Sequence, residues 1–367
     1  MGIVDRTAGA NAGWLARDKN DASGRASASL GEMPEWNLAD LYEGPASEVL
    51  ADDFAGLKKR IAAFEKFRGK VAALSGDEFG MAIAEYERLD ELLGKIASYA
   101  ELYQSVDVSD AERGRFFQDT IERLTELSGQ LLFFRLEINR LDEAKLSEKM
   151  RDKAAAVYAP WIRDLRASRK HELTDDLERL FLDKSTTGRK AWVRLFDETL
   201  AEMRCDVDGE ALTLTQAFNL LTDPKEGRRR VAAKSIGSAL GEKASFFTLV
   251  FNVLAKDKSV EDHWRKFPRP VSSRNIANLV EDDVVEALVS AVKDSYASTS
   301  HRYYGLKAKW FGKDKLDYWD RNAPLPDAEH RDIPWEEARK TVRDAYAGFS
   351  PRLADIVSDF FEKNWID

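Results

Sequence analysis

The feature that most constrains this chain is a recurrence of large apolar residues at steps of three and four, sustained through three successive segments. Phe54, Leu57, Ile61, Phe64 and Phe67 make the first stripe, and Tyr86, Leu89, Leu93, Ile96, Tyr99 and Tyr103 the second. The third runs through Phe117, Ile121, Leu124, Leu127, Leu131, Phe134, Ile138 and Leu141, launched from Ser109 or Asp110. That period lines each set along one helix face, and helices this long and one-sided must bury their stripes against one another. The expectation is an all-α fold of long antiparallel helices. With 367 residues, 44% of them hydrophobic, the chain has material for about two domains.

The stretch before these helices, residues 1–33, is rich in Ala, Gly, Ser, Asn and Asp and shows no helical period, so it reads as a disordered tail. Order is expected from Trp36-Asn37-Leu38-Ala39-Asp40-Leu41-Tyr42 onward. After a break at Pro160, helical pattern resumes through Leu177, Leu180 and Phe181 and through Trp192, Leu195, Phe196 and Leu200. Met203, Cys205 and Val207 then alternate with polar residues, Asp208-Gly209 is a two-residue turn, and Leu212 and Leu214 alternate on the return. This predicts a β-hairpin. It also suggests a domain boundary close by, dividing the chain into a helical domain over 34–200 and the start of a second over 201–367.

Beyond the hairpin, Asp223-Pro224-Lys225-Glu226 supplies a capping Asp, a Pro at the first helical position and a Glu at the third. A loop with Pro268 and Pro270 precedes a helix through Val284, Val285, Leu288, Val292 and Tyr296. Leu316-Asp317-Tyr318-Trp319-Asp320 alternates and predicts a second short strand. The last two helices start at Pro334 and at Ser350-Pro351, each proline in a first-turn slot. The final one carries Phe360, Phe361 and Trp365 close to the last residue, with no Gly cap after them. These aromatic groups are expected to lack cover, and the chain to be incomplete at its C-terminal end.

Charge and cysteine usage exclude several classes. A net charge of −9 with no long basic block argues against nucleic acid as a partner. No stretch approaches the roughly 18 apolar residues of a membrane span, and residues 1–31 lack a signal-peptide core. A single cysteine, Cys205, excludes an intramolecular disulfide and a four-thiolate metal site. A cytoplasmic protein is expected.

A helical zinc peptidase would show His-Glu-x-x-His, which aims two imidazoles at one ion with a Glu to activate the bound water. The nearest approach is His171-Glu172-Leu173-Thr174-Asp175, whose fifth position is Asp175. It reads instead as a helix start with Thr174 as N-cap. His263, His301 and His330 are too far apart in sequence to share an element. Cys205 reads as a buried thiol, and Arg228-Arg229-Arg230 as a surface patch or partner contact. No phosphate loop, dinucleotide fingerprint or G-x-S-x-G elbow is present. No catalytic residue and no metal ligand is assigned.

Several segments resemble the oligoendopeptidase F family of thimet-like zinc metallopeptidases. Trp36 to Tyr42 is similar to that family's W-x-L-x-D-L-Y opening, and Tyr99-Ala100-Glu101-Leu102-Tyr103 with the long helix after it to its N-terminal helical domain. Residues Arg169 to Glu178 resemble its K-P-H-x-L-S-E-x-x-E segment. Tyr303 to Lys309, Tyr318 to Pro324 and Phe349 to Asp367 resemble segments that precede the catalytic motif.

The resemblance implies a helical clamshell whose long helices wall a channel for oligopeptides, with zinc as the family's cofactor. The zinc motif itself is absent from these 367 residues, so neither ligands nor base carry over, and no zinc is expected on this chain. Two readings follow. One is the N-terminal portion of a zinc oligoendopeptidase, inactive alone. The other is a non-catalytic peptide-binding or scaffold protein, or one half of a split enzyme completed by a zinc-bearing segment or chain. Tyr318, Trp319 and Asp320 are the residues assigned to the substrate channel.

Overall fold

The computed structural model describes residues 30–326 and 332–366. The tail expected over 1–33 lies almost wholly outside them, as does His330. Within them helices dominate. The first group is α1 (Glu48–Phe64), α2 (Gly76–Ser105), α3 (Ala111–Arg140), α4 (Glu143–Lys149), α5 (Lys153–Ala156), α6 (Ala159–Ala167), α7 (Asp175–Lys184) and α8 (Arg189–Glu202). A hairpin, β1 (Arg204–Val207) and β2 (Glu210–Thr213), separates them from α9 (Leu214–Asn219), α10 (Glu226–Glu242), α11 (Ala244–Arg265), α12 (Ser272–Ala277), α13 (Asp282–Ser295), α14 (Ser300–Trp310), α15 (Trp335–Phe349) and α16 (Pro351–Glu362).

The three periodic stripes are α1, α2 and α3, and they make the main core. Its starts are fixed locally. At α2 the Ser75 hydroxyl accepts from the Glu78 N–H at 3.2 Å while the Ser75 N–H donates to the Glu78 carboxylate at 2.8 Å, which satisfies two free donors at once. Asp110 caps α3 by accepting from the Glu112 N–H at 2.8 Å. Pro160 does not break the chain but sits in the first turn of α6, where its missing N–H costs nothing.

The buried stripes interlock through aromatic rings. Phe64 meets Phe134 edge-on at 5.1 Å between centroids, and Tyr86 lies 5.4 Å from Phe134 and 5.7 Å from Trp161. The opening segment is part of this core. Tyr42 is buried against Tyr99 at 5.2 Å, its hydroxyl donates to Asp53 at 2.7 Å, and Lys95 lies over its ring. Where α2 crosses α5 the backbones nearly touch, because Gly80 has no side chain to hold them apart: a Cβ there would lie 2.3 Å from the Ala154 carbonyl carbon.

The hairpin forms where the alternation predicts it, with Cys205 opposite Leu212 and Val207 opposite Glu210. Asp208 and Gly209 both take positive φ, 56° and 88°, the geometry a two-residue hairpin turn requires. Leu214 leaves the strand because Thr213 and Gln216 form a capping box that starts α9. A second core gathers Cys205, Val207, Leu214, Ala217, Ala232 and Ile236. Burial pushes the Cys205 thiol above its ordinary pKa, against a hydrogen bond with Ser235. The native chain is therefore expected to leave Ellman's reagent unreacted at mildly alkaline pH, and to release one thiol per chain on unfolding in urea, read by absorbance.

Four further expectations need correction. The segment from Leu316 to Asp320 is not a strand: Tyr318–Asp320 is a single 3-10 turn. Asp317 and Asp320, three residues apart, close it from both sides, the Asp320 N–H donating to the Asp317 carbonyl at 2.9 Å and the Asp317 N–H to the Asp320 carboxylate at 3.3 Å. Helix α10 starts at Glu226, two residues later than its proline suggests, with Asp223 instead accepting from the Lys225 N–H at 2.7 Å. Arg229 is not on a surface patch but 1% exposed.

The terminal aromatics, finally, are partly partnered. Phe360 packs edge-on to Trp365 at 5.3 Å and Phe361 to Trp335 at 5.7 Å. Trp365 donates its indole N–H to Asp40 at 2.9 Å, and the Asn37 N–H donates to the Asn364 carbonyl at 2.9 Å. The last described turn therefore rests on the opening segment.

Candidate functional site

The densest ionic constellation surrounds Asp320. Its side chain is fully buried, and each of its oxygens meets a cation: Arg229 Nη2 at 2.7 Å on Oδ1 and Lys313 Nζ at 2.6 Å on Oδ2. Helix α10 carries Arg229 into place, and Arg229 spends its other amino group on the Asp223 and Pro224 carbonyls, both at 2.9 Å. Lys313, in the loop after α14, also reaches Glu226 at 2.7 Å and Asp317 at 3.0 Å. Nearby, the buried Lys307 donates to the Arg321 carbonyl at 2.9 Å.

Electrostatics follow from this packing. Burial works to raise the Asp320 pKa, but Arg229 and Lys313 outweigh it and hold the carboxyl below its ordinary value. Lys313 is likewise moved above its ordinary range by three carboxylates despite desolvation. Lys307, desolvated and facing Arg229, moves down.

Glu226, Asp317 and Asp320 bring one oxygen each within 4.8 Å of one another, a separation a metal ion accepts. The Lys313 ammonium already stands among them, within 3.0 Å of all three. A cation therefore fills the position. Zinc also prefers imidazole and thiolate donors, and the donors present do not match. His171 is buried, its Nδ1 lies 2.8 Å from the Arg265 carbonyl, and its ring stacks on Phe267 at 4.0 Å. Cys205 sits in the second core. Among the described residues no set fits a zinc ion.

Of the three residues assigned to the channel, Asp320 points inward to its ion pairs, Tyr318 is 67% exposed, and Trp319 is half-buried beside Tyr318 at 4.8 Å. The turn presents one open ring and anchors it through its buried carboxylate. Sequence reasoning missed Arg229, Lys313 and Glu226. Only the Asp317-x-x-Asp320 spacing hinted at the turn, and Arg229 lies 91 residues away from its partner.

A second ionic joint ties α7 to the end of α11. Arg265 grips Glu178 with both amino groups at 2.6 and 3.0 Å, and Glu178 also accepts from the Leu173 N–H at 2.9 Å. Burial would raise the Glu178 pKa, but Arg265 holds it down. The His171 to Glu178 segment is thus clasped to the end of α11, a contact its helix-start reading did not include. Thr174 stands at the N-cap position of α7, although its side chain makes no capping bond.

Comparison with known proteins places this arrangement. Residues 137–204, which include the His171 to Glu178 segment, match the family described as Oligopeptidase F. An oligoendopeptidase F homolog of Borreliella burgdorferi is 20% identical over 343 residues, 92% of this chain and 57% of that protein. The crystal structure of oligoendopeptidase-F from Enterococcus faecium superposes with a TM-score of 0.68 at 19% identity, covering 86% of this chain. The chain has the oligoendopeptidase F fold. A structure of PZ peptidase A bound to an inhibitor shares that fold at a TM-score of 0.64 and 15% identity, over 92% of this chain.

The chain spans 57% of the length of the Borreliella relative, 66% of the Enterococcus protein and 56% of PZ peptidase A. Among the described residues no helix is long and apolar enough to cross a membrane.

Proposed function

We propose that this chain supplies walls of an oligopeptide channel in a zinc-dependent oligoendopeptidase and that alone it hydrolyses no peptide bond. The observation behind this reading is the superposition on the Enterococcus faecium enzyme over 86% of the chain, combined with a sequence that holds no His-Glu-x-x-His. Zinc and its chemistry, polarising a carbonyl and activating water, belong to residues outside these 367. This chain's contribution is to bind and orient extended peptide.

Residues 34–200 act in this reading as one helical domain and 201–367 as the start of the channel-forming one, with the hairpin at the boundary. The Tyr318–Trp319–Asp320 turn lines the channel: Tyr318 offers its ring to substrate, and Asp320 positions it. Oligopeptides are the partners, completed by a zinc-bearing segment. A single buried cysteine suits a reducing cytoplasm.

The test is direct. The purified chain, with and without added zinc chloride, is incubated with quenched-fluorescent oligopeptides. No zinc-dependent cleavage is expected, while fluorescence anisotropy detects peptide binding that weakens with Tyr318→Ala. Cleavage abolished by a chelator would overturn the inactive-alone reading, and binding unchanged by Tyr318→Ala would remove that ring from the channel.

A further inference from the structure

Two carboxylates flank the joint between α7 and α11, and the fold surrounds them differently. Glu178 is gripped by Arg265 and accepts from the Leu173 N–H. Glu172, on the same segment, turns instead toward the end of α3, where Asn139 Nδ2 donates to its Oε1. Among the described residues no cation reaches Glu172 at ion-pair distance: Arg140 of α3 pairs with Asp175, Arg166 of α6 with Glu143, and Arg265 of α11 with Glu178 and Glu261.

Asn139 is fully buried, yet only half satisfied. Its Nδ2 serves Glu172 and lies 3.4 Å from the Leu165 carbonyl, while its Oδ1 meets no donor among the described residues. A buried acceptor without a donor is unfavourable, and reversing the amide would set Oδ1 against a carbonyl and a carboxylate. What Asn139 lacks is a hydrogen from its neighbour, and an ionised carboxylate only accepts.

A protonated carboxyl supplies it. Its carbonyl oxygen accepts from the amide N–H and its O–H donates to the amide oxygen, which closes a ring of two hydrogen bonds between the same two side chains. The proton removes a buried charge in the same step. The surroundings favour it as well: burial raises the Glu172 pKa, Glu178 adds to the rise, and Asn139, Arg135 and Arg140 oppose it without cancelling it.

We infer that Glu172 and Asn139 form a proton-operated latch. With the proton, Glu172 closes a two-bond acid–amide pair that pins the His171 to Glu178 segment to α3; without it, one bond remains. The same segment holds α11 through His171 and Arg265, so the proton also governs how firmly α11 is tied to the first group of helices. Because folded Glu172 lies above its ordinary value, its contribution is full below the unfolded glutamate pKa of about 4.3 and is lost as pH rises through the folded value. Glu178 lies below its ordinary value and behaves oppositely, so both halves of the joint are made only in mild acid, between the two folded values.

Amide hydrogen exchange of the full 367-residue chain tests it, with protection taken relative to the intrinsic rate at each pH. From about pH 8 to about pH 5, protection of the Arg169–His171 turn and of α7 should rise by about threefold or more while α2 stays constant. Glu172→Gln presents the donor and acceptor of the neutral acid at every pH, so it should hold the acid-level protection at both.

Protection that does not change with pH in the unaltered chain would overturn the inference. So would a Glu172→Gln chain that is less protected than the unaltered one at the higher pH, or that fails to fold, since its amide stands in for the protonated group. His171 is untouched by that substitution, and a pH response that persists in Glu172→Gln would belong to another group and overturn the latch.

Discussion

Asp320→Ala is expected to destabilise the chain by about 3–5 kcal/mol, the cost of leaving buried partners of an ion pair uncompensated. Arg229 is 1% exposed and would face a void where it now meets a carboxylate oxygen at 2.7 Å, and Lys313 would lose its shortest bond. Urea unfolding followed by circular dichroism measures the loss. Replacing both buried partners, Arg229→Met with Asp320→Leu, should recover part of it, because the buried guanidinium goes with its carboxylate while Lys313 keeps Glu226 and Asp317. A double substitution as damaging as the single one would mean that packing, not charge, holds the turn.

The same group sets a pH dependence. Since the folded Asp320 carboxyl lies below its ordinary value, its contribution is complete above the unfolded aspartate pKa of about 3.9. It is lost as pH falls through the folded value. Asp320→Asn should therefore narrow its stability deficit against the unaltered chain as the medium is taken below about pH 4. A deficit constant from neutral pH into acid would contradict the ionised assignment.

The second large effect is expected at Gly80, and its sign runs against propensity. In an open helix an alanine in place of glycine stabilises by about 1 kcal/mol. Here the added carbon would lie 2.3 Å from the Ala154 carbonyl carbon and 2.5 Å from its oxygen, and a backbone cannot step aside as a flexible side chain can. Gly80→Ala should cost about 3 kcal/mol, the upper end for overpacking a core, by prising α5 from α2. Thermal unfolding checks it, with Gly114→Ala on α3, where nothing lies within 4 Å, as the control expected to be neutral or stabilising.

The long helices and the hairpin were legible because their signals are local. A stripe such as Leu124, Leu127 and Leu131, or the pair Asp208-Gly209, states its geometry within a few residues. The 3-10 turn at Tyr318 was misread for a related reason: alternation over five residues fits a strand, and what decides otherwise is a carboxylate drawn inward by Arg229 and Lys313. Arg229 itself looked like one of three surface arginines in a row. Its burial depends on Asp320, 91 residues away, and no local pattern carries that information. His171 reads as part of a helix start, and its contact with Arg265 appears only when α11 folds back.

The bonds from Asn37 to Asn364 and from Trp365 to Asp40 bear on the order of assembly. They join residues 325 or more apart in sequence, so closing that loop from an unfolded chain costs about 5 kcal/mol in entropy by the logarithmic scaling of loop length. Two hydrogen bonds near the surface do not meet such a cost on their own. The opening segment must first be fixed by Tyr42 in the aromatic core, and the final helical hairpin must find it already in place. During synthesis the opening residues emerge well before Trp365, so this contact forms late relative to the aromatic core that holds Tyr42.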